Sequence, residues 1–164
     1  MTARPTIRAA VASDTRQILS FIRELAAYEK LAAEVVASEE GLAATLFGPE
    51  PAAEVLIAEV DGAPAGFALF FHNYSTFLGQ AGLFLEDLFV RPEFRARGVG
   101  RALLARLAAL ARDRGCGRLE WSVLDWNVEA IGFYRRIGAT AMSDWTTYRL
   151  TGESLASLAR EELP

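Results

Sequence analysis

The stretch "LEDLFVRPEFRARGVGRALL", residues 85–104, decides how this chain folds. Its first six residues, with Leu83 and Phe84 before them, are apolar apart from Glu86 and Asp87, and "LFLEDLFV" (83–90) reads as a strand. From about Gly98 onward, Leu103, Leu107 and Leu110 recur at helical spacing as far as Gly115, so a helix follows. Glycine weakens a helix interior, yet Gly98 and Gly100 stand where this helix begins. A helix start carries unpaired N–H groups and partial positive charge, and both favour phosphate. Residues 91–101 hold four Arg against one Glu, a local net of +3 in a chain of formal charge −4. A pyrophosphate approaching the amides from Arg97 to Ala102 would be obstructed by a β-carbon at position 98 or 100. Arg95, Ala96, Arg97, Gly98, Val99, Gly100, Arg101 and Ala102 are therefore the candidate ligand-binding loop.

Other readings of the glycines exist. A glycine-rich strand-to-helix turn needs no ligand. A dinucleotide fingerprint places its glycines directly after the strand, whereas seven residues separate Val90 from Gly98, and Leu103 stands where a third glycine belongs. A P-loop is excluded because no Gly-Lys-Ser/Thr follows.

Working outward, "TIRAA" (6–10) reads as a first strand. Asp14 and Gln17 form a capping-box signature for a helix running to about Tyr28. Ser38 caps a second helix that stops at Gly48-Pro49. "VLIAEV" (55–60), the turn "DGAP" and "AGFALFFHNY" (65–74) form a hairpin. "RLEWSVL" (118–124) is a strand, Asn127 caps a helix ended by Gly138, and "TTYRL" (146–150) is a late strand. The order β-α-α-β-β-β-α-β-α-β predicts an α/β sandwich around a mostly antiparallel sheet. At 164 residues and 52% hydrophobic composition, one domain spanning 1–164 is expected. The opening "MTARPTIRAA" lacks the apolar run of a signal peptide, no stretch has membrane-span length, and a cytoplasmic location is expected. A single cysteine, Cys116, and a single histidine, His72, argue against a disulfide and a metal cluster. Net negative charge argues against nucleic acid as a partner.

At this point the residues resemble a family, the GNAT acyl-CoA-dependent N-acetyltransferases. Their pyrophosphate loop reads Arg/Gln-x-x-Gly-x-Gly/Ala, which Arg95, Gly98 and Gly100 match. "WNVEAIGFYRRIGA" (126–139) matches the next element, Asn-x-x-Ala-x-x-Phe-Tyr-x-x-x-Gly. The resemblance implies a mixed, mostly antiparallel sheet splayed near its centre, with helices on both faces and acetyl-CoA as acetyl donor. It implies that the backbone of Leu88, Phe89 and Val90 holds the pantetheine arm, with Asn127, Ala130 and Tyr134 also at the cofactor. "ELAAYEK", "LEDLFV" and "WTTYRL" are similar to the diamine (spermidine/spermine) acetyltransferase branch, some of whose members take thialysine or other small diamines and most of which are homodimers. By that likeness Tyr28, Glu29, Glu86 and Asp87 bind a cationic amine. Phe77 departs from the branch, standing where the mammalian polyamine enzymes carry tryptophan.

Acetyl transfer to an amine needs a neutral amine, a polarised thioester and a proton for the departing thiolate. Tyr134 is the candidate acid, since a phenol of pKa about 10 can protonate a thiolate of pKa about 8.5 when positioned to do so. A core tyrosine with a satisfied hydroxyl would show the same spacing. Glu86 is the candidate acceptor of the amine's proton, directly or through water. Adjacent strand residues face opposite sides, so Glu86 and Asp87 serve one site only if the strand bulges. Two other functions stay open: acetylation of protein lysines or N-termini, and a non-catalytic acyl-CoA-binding module. The three tryptophans, 121, 126 and 145, are expected in the core or at an interface.

Overall fold

The computed structural model describes residues 4–161, so Met1 to Ala3 of the opening stretch lie outside the described residues. The described residues divide into two compact units, one as far as Ser122 and one from Val123 onward. The first is built from β1 (Thr6–Ala9), α1 (Thr15–Tyr28), α2 (Glu39–Phe47), β2 (Glu54–Val60), β3 (Ala63–Ser75), β4 (Gln80–Val90), α3 (Val99–Asp113) and β5 (Leu119–Trp121). The strands make one sheet in sequence order, antiparallel from β1 to β4 and parallel between β4 and β5.

The sheet alternates because its strands do. Val55 and Ile57 of β2 and Phe67 of β3 form one core with Phe89 of β4, and α1 covers it with Ile18, Phe21 and Leu25. The Phe21 and Phe67 rings stack at 5.3 Å. α3 lies by the opposite face, where Gly100 stands next to Val90, the neighbour of Phe89, and it buries Val99, Leu103 and Leu107. Helices on both faces, as expected, follow from these two apolar stripes.

Gly66 is fixed by close approach: a β-carbon there would overlap the carbonyl oxygen of Phe89 across the β3–β4 ladder.

Several local expectations need correction. Asp14 makes no capping bond to α1, which is entered through a 3₁₀ turn at Ala12–Asp14. Its carboxylate instead accepts two hydrogen bonds from the Arg8 guanidinium, at 2.7 and 2.9 Å, and one from the Val11 N–H. Ser38 does cap α2, accepting from the Gly41 N–H at 3.1 Å. The strand expected over 118–124 is only Leu119–Trp121. The hairpin strands β3 and β4 extend further toward their shared tip than expected.

The second unit contains α4 (Val128–Arg136) and α5 (Gly152–Ala159). No strand forms at 146–150, where Tyr148 is 93% exposed. Strand propensity is realised only beside a neighbouring edge, and "TTYRL" has no strand partner among the described residues. Trp126 and Trp145 are exposed, so neither is a core residue, while Trp121 is half-buried. Among the described residues no helix is long and apolar enough to cross a membrane.

Candidate active site

The register of β3 against β4 slips at one place. Leu69 lies opposite Asp87, but the next residue, Phe70, lies opposite Leu85, which leaves Glu86 as an extra residue. This is the bulge that two adjacent acids in an apolar strand called for. In a regular strand Leu85 and Asp87 would share a face. Here they sit opposite adjacent β3 residues, so the slip turns Asp87 to the side of Leu69 and Phe89, the side covered by α1.

That side brings Asp87 toward the end of α1. Burial, reinforced by the charges of Glu86 and then Glu29, pushes the Asp87 carboxyl up to about 6. Burial also raises Glu29, the residue just after α1. Glu86 is exposed and reaches water. Three carboxyls from two elements thus meet at one corner, and Asp87 holds its charge at a cost there. Such a corner suits a cation.

The parallel pairing ends at the same place. β5 pairs with β4 no further than Leu85 opposite Trp121, whereas β3 stays paired as far as Gly66 opposite Val90. From Glu86 to Val90, β4 has one edge without a strand among the described residues. Alternate residues of a ladder direct N–H and C=O away from their partner, so this edge offers backbone groups to an extended ligand.

The arginine loop follows. Gly98 is the N-cap of α3 at φ +79, a left-handed conformation that L side chains rarely adopt. Gly100 has an ordinary φ, and a β-carbon there would meet only the Val90 side chain, at 3.7 Å. Packing within the protein therefore gives no reason for glycine at 100. The N–H groups at the start of α3 together with this bare backbone fit a pyrophosphate.

The four arginines do not act alike. Arg91, counted by the sequence among the loop's free positive charges, is bound to Glu24 of α1 through two bonds of 2.9 and 2.7 Å. It also donates to the Pro64 carbonyl and covers the Phe21 ring. Its guanidinium holds the Glu24 carboxyl below the usual range. Arg95 turns back as well, its Nε donating to the Val90 carbonyl at 3.0 Å and its guanidinium lying 4.7 Å from the centre of the Tyr28 ring. Arg97 lies over Phe94, and Arg101 is exposed.

In the second unit the Asn127 side chain caps α4, accepting from the Ala130 N–H at 3.3 Å, and Gly138 takes φ +89 just past the helix. Ala130 and Tyr134 are half-buried, and the Tyr134 ring lies 5.6 Å from that of Phe133. The first unit thus brings together Tyr28, Glu29, Glu86, Asp87, the 88–90 edge and the glycine loop. Missed from sequence were Glu24, which neutralises Arg91 from 67 positions away, and Gly66. An acid on the same face of α1 as the core residues Phe21 and Leu25 was the available signal for Glu24.

The acetyltransferase (GNAT) family model matches residues 19–139. A thialysine N-epsilon-acetyltransferase from Bos taurus is 40% identical over 164 residues, covering 93% of this chain and 96% of its own length. An L-ornithine N5-acetyltransferase from Arabidopsis thaliana is 34% identical, covering 93% of this chain and 86% of its own. Among solved structures, an integron cassette protein from the mobile metagenome of V. cholerae superposes with a TM-score of 0.80 at 27% identity, over 96% of this chain and 98% of that one. The bulged strand, the open edge and the glycine-led helix lie within the matched span, and the chain belongs to the acetyltransferase (GNAT) family.

Proposed function

We propose that this N-acetyltransferase moves an acetyl group from acetyl-CoA to a terminal primary amine of a small cationic molecule, a diamine or an amino acid of the thialysine or ornithine kind. The observation that carries the proposal is the bulge at Glu86, which sets an acidic corner beside the open edge and the glycine loop. The curated relatives with high coverage bear names of that substrate class.

In this reading the N–H groups from Arg97 to Arg101 take the pyrophosphate, since that of Ala102 is bonded to the Gly98 carbonyl at 2.9 Å, and the Leu88–Val90 backbone takes the pantetheine arm. Acetyl-CoA supplies the activated acetyl thioester. A backbone N–H on the open edge faces the thioester oxygen, where negative charge develops. Asp87 and Glu29 hold the ammonium groups, which selects against neutral amines. An amine attacks only after losing a proton, and Glu86, exposed to water, passes that proton on. Tyr134 returns a proton to the leaving thiolate. Asn127 and Ala130 support the cofactor from the α4 N-terminus. The chain, residues 1–164, acts as one acetyltransferase domain and works as a homodimer. Exposed apolar side chains of the second unit, Val128, Trp145 and Tyr148 among them, support that assembly.

A thiol-release assay with acetyl-CoA and a panel of amines tests this directly. The panel holds thialysine, ornithine, spermidine, a lysine-containing peptide and a neutral amine. Fastest turnover on the small cationic amines is expected. Fastest turnover on the peptide would move the function to protein acetylation, and acyl-CoA binding without transfer would make the protein a binding module.

A further inference from the structure

Arg95 falls in the loop read as the phosphate site, but its side chain faces elsewhere. It follows a 3₁₀ turn at Pro92–Phe94 and precedes Ala96, which is held at φ +58. A left-handed alanine costs free energy and is kept where surrounding contacts enforce it. Beside it, the Arg95 side chain is held at more than one point. Its Nε is tied to the Val90 carbonyl at 3.0 Å, and its guanidinium lies 4.7 Å over Tyr28 and 6.0 Å from the Phe89 ring centre. Tyr28 is the last residue of α1, and Glu29 follows it into the acidic corner with Asp87. The Arg95 side chain therefore spans from the end of β4 to the end of α1.

We propose that Arg95 is a positioning residue for the amine, bracing the Tyr28–Glu29 corner from the cofactor loop, and that its guanidinium does not serve as a phosphate ligand. The inference rests on the amine-acetylation reading above. A guanidinium can donate from Nε to a carbonyl while its far end sits over an aromatic ring. A lysine keeps the charge and loses that geometry. Charge attraction to phosphate would survive Arg95→Lys, whereas bracing would not.

The test compares wild type, Arg95→Lys, Tyr28→Leu and the double variant, with melting temperatures checked on each. Acetyl-CoA affinity is read by calorimetry, and KM and kcat are read with the best amine of the panel. Arg95→Lys is expected to raise the amine KM about 5–20-fold, the worth of one cation–π contact and a hydrogen bond, with acetyl-CoA affinity and kcat changed by less than about threefold. The double variant should be no worse than Tyr28→Leu alone, because Arg95 acts on the amine through Tyr28. A tenfold loss of acetyl-CoA affinity with an unchanged amine KM would overturn the proposal, and so would effects of the two substitutions that multiply. Should Arg95→Lys melt much earlier than wild type, a Tyr28→Leu variant with an unchanged amine KM would overturn it instead. A wild type that acetylates no amine of the panel would refute the functional reading itself, before any variant is compared.

Discussion

Replacing Asp87 by Asn should make the protein more stable and a worse enzyme. The Asp87 carboxyl sits at about 6 instead of its ordinary 3.8, because burial and the neighbouring Glu86 and Glu29 oppose its charge. That displacement corresponds to about 3 kcal/mol at full ionisation, and screening by water near the exposed Glu86 reduces it to about 1–3 kcal/mol. The folded state takes up the Asp87 proton more readily than the unfolded chain does. Its contribution to stability is therefore fully present below about pH 3.8 and is lost as pH rises through about 6. Asparagine cannot ionise and escapes the loss. The Asp87→Asn variant should match wild type near pH 3.5–4 and gain above pH 7, by about 3–10 °C in melting temperature for a chain of this size.

Thermal melts of both proteins from pH 4 to pH 8 give the difference curve, in which the common acid sensitivity of other groups cancels. On the same preparations the amine KM should rise about 10–100-fold, because one ammonium loses its buried counter-charge. The wild-type kcat/KM for the amine should fall below pH 6 with a slope near one, and the variant should lack that limb. A variant less stable than wild type at pH 7.5 would refute the reasoning, since Asp87 would then have a compensating partner in the folded protein. A gain independent of pH would refute it too. Stability gained with activity lost is the mark of a group held against its own preference for the sake of a ligand.

Three further outcomes are expected. Tyr134→Phe should lower kcat by about 10²–10⁴ while acetyl-CoA affinity stays within a few-fold, and near-normal turnover would remove Tyr134 from the chemistry. Gly100→Val should weaken acetyl-CoA binding in calorimetry with little change in melting temperature, since the β-carbon itself meets only Val90 at 3.7 Å; unchanged affinity would place the pyrophosphate elsewhere. Gly66→Ala should destabilise by about 1–3 kcal/mol in urea unfolding, because the overlap is with backbone that cannot swing aside, and a neutral effect would mean that β3 and β4 part more easily than the ladder suggests.

What the sequence made legible was local. Glycine at a helix start, a capping Asn127 and two acids in an apolar strand each carry their own physical reason within a few residues. They located α3 and α4, and they named the place where a bulge would be needed for Glu86 and Asp87 to serve one site. What it left hidden were pairings between distant positions. Arg91 and Glu24 lie 67 residues apart, and nothing in "RPEFRARG" separates an arginine bound across the fold from one facing solvent. Arg95 is the same case, since its partner Tyr28 belongs to another element. Counting charge along the loop gave +3, whereas the fold commits Arg91 to a carboxylate and turns Arg95 onto an aromatic ring.

The late segment shows the same limit from the other side. "TTYRL" has the β-branched and aromatic residues of a strand, yet a strand is completed by pairing, and composition supplies only half of that. With Tyr148 93% exposed and Leu150 51% exposed, the segment has strand chemistry without a strand's environment. Trp145, Val128 and Leu155 are exposed in the same unit, although indole and aliphatic surface is usually buried in a folded protein. A strand-like segment without a partner and an apolar surface left open, both in one unit, are two features that association completes. The proposed homodimer accounts for both at once, which isolated surface hydrophobics would not require.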